Sequence, residues 1–122
     1  MNFEKICVLG LGYIGLPTAS TFAAHGLRVV GVDINPQVIE TLQNGKIHIH
    51  EPGLREVVDS ALSSGNLTVS LHPEEADAFL IAVPTPFYEN QYGEYEGRKY
   101  RQADMSAVTS ATEAVLPHLR KG

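Results

Sequence analysis

Short uninterrupted apolar runs alternate along this chain with stretches in which apolar residues return every three or four positions. The first run, Ile6 to Leu9, has the continuous apolar character of a strand covered on both faces by helices. A helix is predicted from about Tyr13 to His25. Pro17 falls in its first turn, where a missing N–H has no intrahelical partner, and Gly26 supplies the stop. "LRVVGVD", residues 27 to 33, is the second predicted strand. Asn35 then offers an N-cap and Pro36 a first-turn position for a helix carrying Val38, Ile39 and Leu42, closed by Asn44-Gly45.

Leu54, Val57, Val58, Ala61 and Leu62 make a third helical stripe with its exit at Ser64-Gly65-Asn66. "LTVSL" (67 to 71) is a strand, a brief acidic helix is expected after Pro73, and "AFLIAV" (78 to 83) is a strand buried on both faces. From Pro84 to Gln102 the sequence turns polar and tyrosine-rich, and a loop of that length points to a lid or binding loop. Met105, Val108, Thr112, Val115 and Leu119 form a last helical stripe with Asp104 near its start, and Pro117 is expected to kink it.

Strand and helix in alternation predict an α/β fold, a Rossmann-like doubly wound parallel sheet with strand order 3-2-1-4. A crossover helix at the end leads toward a further parallel strand. The expectation is therefore a single domain over 1–122, an N-terminal fragment of a longer enzyme whose sheet is truncated before the later strands. There is no internal repeat and no domain-scale linker.

Composition narrows the functional classes. The chain has 122 residues, 43% of them hydrophobic and 19% charged, as in ordinary globular proteins. Its net charge of -5 argues against a nucleic-acid partner, which needs a concentrated basic face. The single cysteine, Cys7, lies inside the first apolar run, where it fills core space, and no disulfide can form within the chain. No stretch reads as a membrane span or a targeting signal, so a cytoplasmic location is expected.

Gly10-Leu11-Gly12-Tyr13-Ile14-Gly15 is a G-x-G-x-x-G sequence between a predicted strand and a predicted helix, and Asp33 closes the next strand. Gly10 permits a tight turn, Gly12 lets a pyrophosphate approach bare main chain, and Gly15 lets helix and strand pack closely. The phosphates then meet unpaired N–H groups at the positive end of a helix dipole. Asp33 is placed to accept hydrogen bonds from ribose hydroxyls and to repel a 2′-phosphate, which favours NAD over NADP. The competing reading is a glycine-rich turn in a domain that binds no nucleotide, with Asp33 merely a cap.

Beyond this fingerprint, "GLGYIGLP", "GVDIN", "IHEPGL" (49 to 54) and "AVPTPF" (82 to 87) resemble, in order and spacing, the UDP-glucose/GDP-mannose dehydrogenase superfamily. The "AVPTPF" segment is most similar to the UDP-N-acetyl-D-mannosamine dehydrogenase branch. The resemblance implies an enzyme that oxidises the C6 alcohol of a UDP-sugar to a carboxylate in two NAD-dependent steps, through a covalent intermediate on a cysteine. It implies a pyrophosphate loop of Gly10, Gly12, Tyr13, Ile14 and Gly15, a ribose contact at Asp33, and Val83, Pro84 and Thr85 beside the cofactor at the end of the fourth strand. It also implies catalytic cysteine, lysine and asparagine residues in the middle of a longer chain, none of them matched here, and a homo-oligomer formed through other regions. Cys7 does not correspond to the nucleophile. Two alternatives stand: another NAD-dependent dehydrogenase of the 3-hydroxyacid or prephenate type, and a free-standing NAD-binding sensor module.

Other constellations read more plainly. His48 and His50, with Glu51 nearby, lack a closed metal-ligand set and read as loop residues, with Glu51 open to a positioning role. Arg98, Lys99 and Arg101 read as solvated loop charge, the alternative being contact with a nucleotide-sugar diphosphate. Glu74, Glu75 and Asp77 read as helix-start chemistry, and His25, His72 and His118 carry no partner pattern.

Overall fold

The computed structural model describes residues 2–121. In chain order the elements are β1 (Lys5–Leu9), α1 (Gly15–Ala24), β2 (Arg28–Val32), α2 (Pro36–Gln43), α3 (Leu54–Ser63), β3 (Leu67–Ser70), β4 (Ala78–Ile81), β5 (Phe87–Tyr95), β6 (Arg98–Ala103) and α4 (Ser106–Val115). β1 to β4 form one parallel sheet in the order β3-β2-β1-β4. This is the Rossmann-like α/β arrangement that the alternation predicts.

The period of two along β1 divides the core. Ile6 and Val8 face a cluster with Leu16, Ala19, Leu42, Leu54, Val58 and Leu67, which joins the sheet to α1, α2 and α3. Cys7 and Leu9 face the opposite cluster with Val30, Val32, Ala111 and Val115, which joins it to α4. Both faces are covered, which is why β1 reads as an unbroken apolar run. Leu16 and Val8 are fully buried, each contributing roughly 2 kcal/mol of apolar transfer energy.

Five expectations need correction. The 84–102 segment is not a loop: β5 and β6 pair antiparallel, with Tyr95 opposite Arg98. Glu96 (φ 49°) and Gly97 (φ 75°) between them adopt the left-handed geometry of a two-residue hairpin turn. Nearly every hairpin residue is exposed, so the hydrophobic alternation that would announce strands is absent.

No helix follows Pro73. The acidic residues there serve the neighbouring segments instead. Asp77 Oδ2 accepts the backbone N–H groups of Glu4 and Lys5, each at 2.9 Å, and Glu74 pairs with Lys5 Nζ at 2.8 Å. Arg120 bridges Glu75 and Asp77.

β4 is shorter than predicted and only partly buried, because it is an edge of the sheet among the described residues. Its Ala82 N–H still donates to Leu9 C=O at 2.7 Å, but Val83, Pro84 and Thr85 follow the strand rather than ending it.

α4 begins at Ser106 and stops at Val115, where Pro117 diverts the chain into a 3-10 turn over Leu116–His118. It buries Ala111 and Val115, whereas Met105 and Leu119 are exposed, so the contact stripe is turned by about one residue from the predicted one. α1 likewise starts at Gly15 rather than Tyr13, the first turn being opened by Gly12 C=O accepting Leu16 N–H at 3.1 Å.

Candidate functional site

Sheet register brings three strand ends to one place. Gly10 N–H donates to Val32 C=O at 2.7 Å, and Asp33 N–H donates to Ser70 C=O at 3.2 Å. The glycine loop therefore leaves β1 between the ends of β2 and β4, the carboxyl-end crevice of an open parallel sheet.

Each glycine of the loop has a different physical reason. At Gly10, φ is +96°, and a Cβ would lie 2.5 Å from Ala82 O and 3.0 Å from Val83 N. The turn and its close approach to the end of β4 both exclude a side chain. At Gly15 a Cβ would collide with the carbonyl oxygen of Gly10. Gly12 differs from both, because a Cβ there would meet nothing within 4 Å and its φ is not positive. Among the described residues, nothing requires glycine at position 12.

Leu11, between the first two glycines, is held at three points. Its side chain is fully buried and lies against Gly31 of β2, where a Cβ would come 2.9 Å from Leu11 Cδ2. Its N–H donates to Asp33 Oδ2 at 3.0 Å. Its carbonyl oxygen lies 2.6 Å from His48 Nε2. Among the described residues, no protein acceptor takes the N–H groups of Gly12, Tyr13 or Ile14. These unpaired donors sit at the N-terminus of α1, where the helix dipole favours an anion.

Asp33 uses both carboxylate oxygens, Oδ2 on the Leu11 N–H and Oδ1 on the Asn35 N–H at 2.9 Å. Each oxygen keeps a lone pair for a further donor. Tyr13, Ile14 and Ile34 project apolar surface around the loop, Ile34 being 91% exposed. Val83 packs against the core beneath, and its backbone abuts Gly10. Pro84 and Thr85 are exposed on the segment that follows.

These residues fit a bound dinucleotide. The space that a side chain at Gly12 would fill, the free N–H groups beside it and the carboxylate at the next strand end together suit a diphosphate and a diol.

The sequence reading places His48 in a loop without a role, yet the structure brings its ring onto the glycine loop. The partners are 37 positions apart, and only the fold reveals their contact. His50 and Glu51 are exposed and make no comparable contact. Nor do the basic residues of the hairpin converge. Arg98 pairs with Tyr95, Lys99 with Glu94 and Arg101 with Tyr92, so Arg98 points to the face opposite Lys99 and Arg101. Cys7 is wholly buried, and burial pushes its thiol pKa up, the opposite of what a nucleophile needs.

Comparison with known proteins agrees with this geometry. The NAD binding domain of the UDP-glucose/GDP-mannose dehydrogenase family matches residues 4–122. A UDP-N-acetyl-D-mannosamine dehydrogenase of Methanococcus maripaludis is 49% identical over 99% of this chain and 27% of its own length. An NDP-N-acetyl-D-galactosaminuronic acid dehydrogenase of Ralstonia nicotianae is 46% identical over 100% of this chain and 26% of its own. The native structure of a UDP-N-acetyl-mannosamine dehydrogenase from Staphylococcus aureus superposes with a TM-score of 0.87 at 54% identity, over 97% of this chain and 27% of that one. The chain thus spans about a quarter of the length of these relatives. By the family match, the identities and the shared fold, this chain belongs to the UDP-glucose/GDP-mannose dehydrogenase family and is its NAD binding domain.

Proposed function

We propose that the chain holds NAD for a nucleotide-sugar 6-dehydrogenase, with the diphosphate on Gly10, Gly12, Tyr13, Ile14 and Gly15. Asp33 takes the adenosine ribose, and Val83, Pro84 and Thr85 flank the cofactor. The observation that carries this reading is Gly12, the one loop glycine whose missing side chain leaves open space rather than relieving a clash within the protein. Bound NAD supplies the hydride acceptor. The contribution of these residues is to bind and orient it.

The residues divide the work by charge. Unpaired N–H groups at the start of α1 face the anionic diphosphate, while the Asp33 carboxylate accepts from ribose hydroxyls and disfavours a 2′-phosphate. Ile34 offers an apolar surface to the base.

We further propose that the whole protein oxidises the C6 alcohol of UDP-N-acetyl-D-mannosamine to a carboxylate. Two NAD are reduced, one water is consumed, and the catalytic residues come from outside this chain. The support is the naming of the relatives, two of the three cited above being dehydrogenases of that sugar. A cytoplasmic place in the supply of polysaccharide precursors accords with this chemistry. Titrating the protein that carries this chain with NADH, and then assaying UDP-N-acetyl-D-mannosamine for two NADH per sugar, tests both levels. Absence of saturable NADH binding by folded protein defeats the cofactor reading. Binding without turnover of that sugar, but with turnover of another UDP-sugar, corrects the substrate alone.

A further inference from the structure

We infer that His48 is a positioning residue for the dinucleotide loop: its Nε2–H holds the Leu11–Gly12 peptide so that the Gly12 N–H faces the diphosphate. The inference rests on the NAD site proposed above.

A carbonyl oxygen only accepts, so the 2.6 Å contact between His48 Nε2 and Leu11 O requires the proton on Nε2. His48 Nδ1 is buried with no hydrogen-bond partner, which suits the bare nitrogen of the neutral ring in that tautomer. The carbonyl of Leu11 and the N–H of Gly12 belong to one peptide unit, planar and trans. Holding the oxygen on one side therefore aims the N–H to the other.

Nothing else in the loop performs this task. Asp33 fixes the peptide before Leu11, and Gly31 receives its side chain, but neither governs the peptide after it. Gly12 has no Cβ to bias that plane, and the space beside it is open, so a flip there meets no steric barrier from the chain. His48 itself is anchored by its neighbour Ile49, which is buried in the core shared with α1 and α3.

The test compares ligands with and without a diphosphate in the protein that carries this chain. His48→Phe keeps the ring volume and removes the donor. It should weaken NADH about tenfold, the effect of one net hydrogen bond, while adenosine binding stays within about twofold. His48→Gln, whose amide nitrogen reaches where Nε2 lies, should restore NADH affinity. If H48F does not fold, H48N, too short to reach the carbonyl, takes its place against H48Q. Unchanged NADH affinity in a folded donor-less variant, or equal loss of NADH and adenosine, overturns the inference while leaving the site intact. A wild-type protein that binds no NADH overturns the reading of the site and this inference with it.

Discussion

Asp33 Oδ2 accepts the Leu11 N–H at 3.0 Å, so the residue that closes β2 also fastens the loop that leaves β1. The side chain proposed to recognise ribose is thus a structural tie of the diphosphate cradle. Asp33→Ala should remove both functions. We expect NADH affinity to fall by more than tenfold and the preference for NADH over NADPH to shrink, as read by parallel fluorescence titrations. An unchanged preference would show that cofactor choice resides elsewhere.

The three loop glycines should separate stability from binding. Gly10→Ala forces a side chain into left-handed backbone against the Ala82 carbonyl, and should cost roughly 2 kcal/mol or more. Gly12→Ala meets no protein atom, so its unfolding midpoint should stay within about 0.5 kcal/mol of the parent while NADH binding is lost. Chemical denaturation and NADH titration of the two variants measure both expectations, and a destabilised G12A that still binds NADH would contradict them.

Ser20 is fully buried in α1 and its hydroxyl has no hydrogen-bond partner. Ser20→Ala removes an unpaired polar group and leaves nearly the same volume, so stability should rise by about 1 kcal/mol. Thermal unfolding reads the change, and a lower midpoint would mean that the hydroxyl is satisfied in solution.

The backbone N–H groups of Glu4 and Lys5 hold the Asp77 carboxyl below its ordinary range, with Arg120 adding to the effect. A carboxylate depressed in the folded state contributes stability that is complete above the unfolded value of about 3.9 and is lost as pH falls through the lower folded value. Unfolding midpoints should therefore drop on acidification below about pH 4, and Asp77→Asn should flatten that part of the profile. Equal acid sensitivity in the variant would assign the effect to other carboxylates, of which Asp104, lowered by its hydrogen bonds to Ser106, is the first to examine.

The β5–β6 hairpin makes its contacts chiefly within itself, and its strands are exposed on both faces. Isolated two-stranded hairpins are marginal in water. Hydrogen exchange should show its amides opening well before those of β1, which is paired on both sides and buried on both faces. Comparable protection in the two regions would require a cover that this chain does not supply.

The order of legibility follows physical range. Runs such as Ile6 to Leu9 announce buried parallel strands, and Asn35 followed by Pro36 announces a helix start, because those signals act over a few residues. Asn35 Oδ1 does accept the Gln37 N–H at 3.0 Å. The glycine spacing is legible for the same reason, whereas the tie between Asp33 and Leu11 spans 22 positions and is seen only in the fold. The hairpin escapes because a sheet with both faces in solvent needs no alternation, and the acidic segment after Pro73 escapes because its partners, Glu4, Lys5 and Arg120, lie far from it along the chain. His48 was the largest omission: a histidine beside an apolar residue carries no mark of the carbonyl it will meet.

Cys7 offers one practical consequence. It is the only sulfhydryl in the sequence, it sits in the central strand, and it has no solvent access. A thiol-reactive dye can reach it only when α4 lifts from the sheet or the sheet itself opens, so the labelling rate becomes a clock for uncovering of that face. Slower labelling in the presence of coenzyme would report, without any engineered probe, how firmly the ligand holds that layer closed.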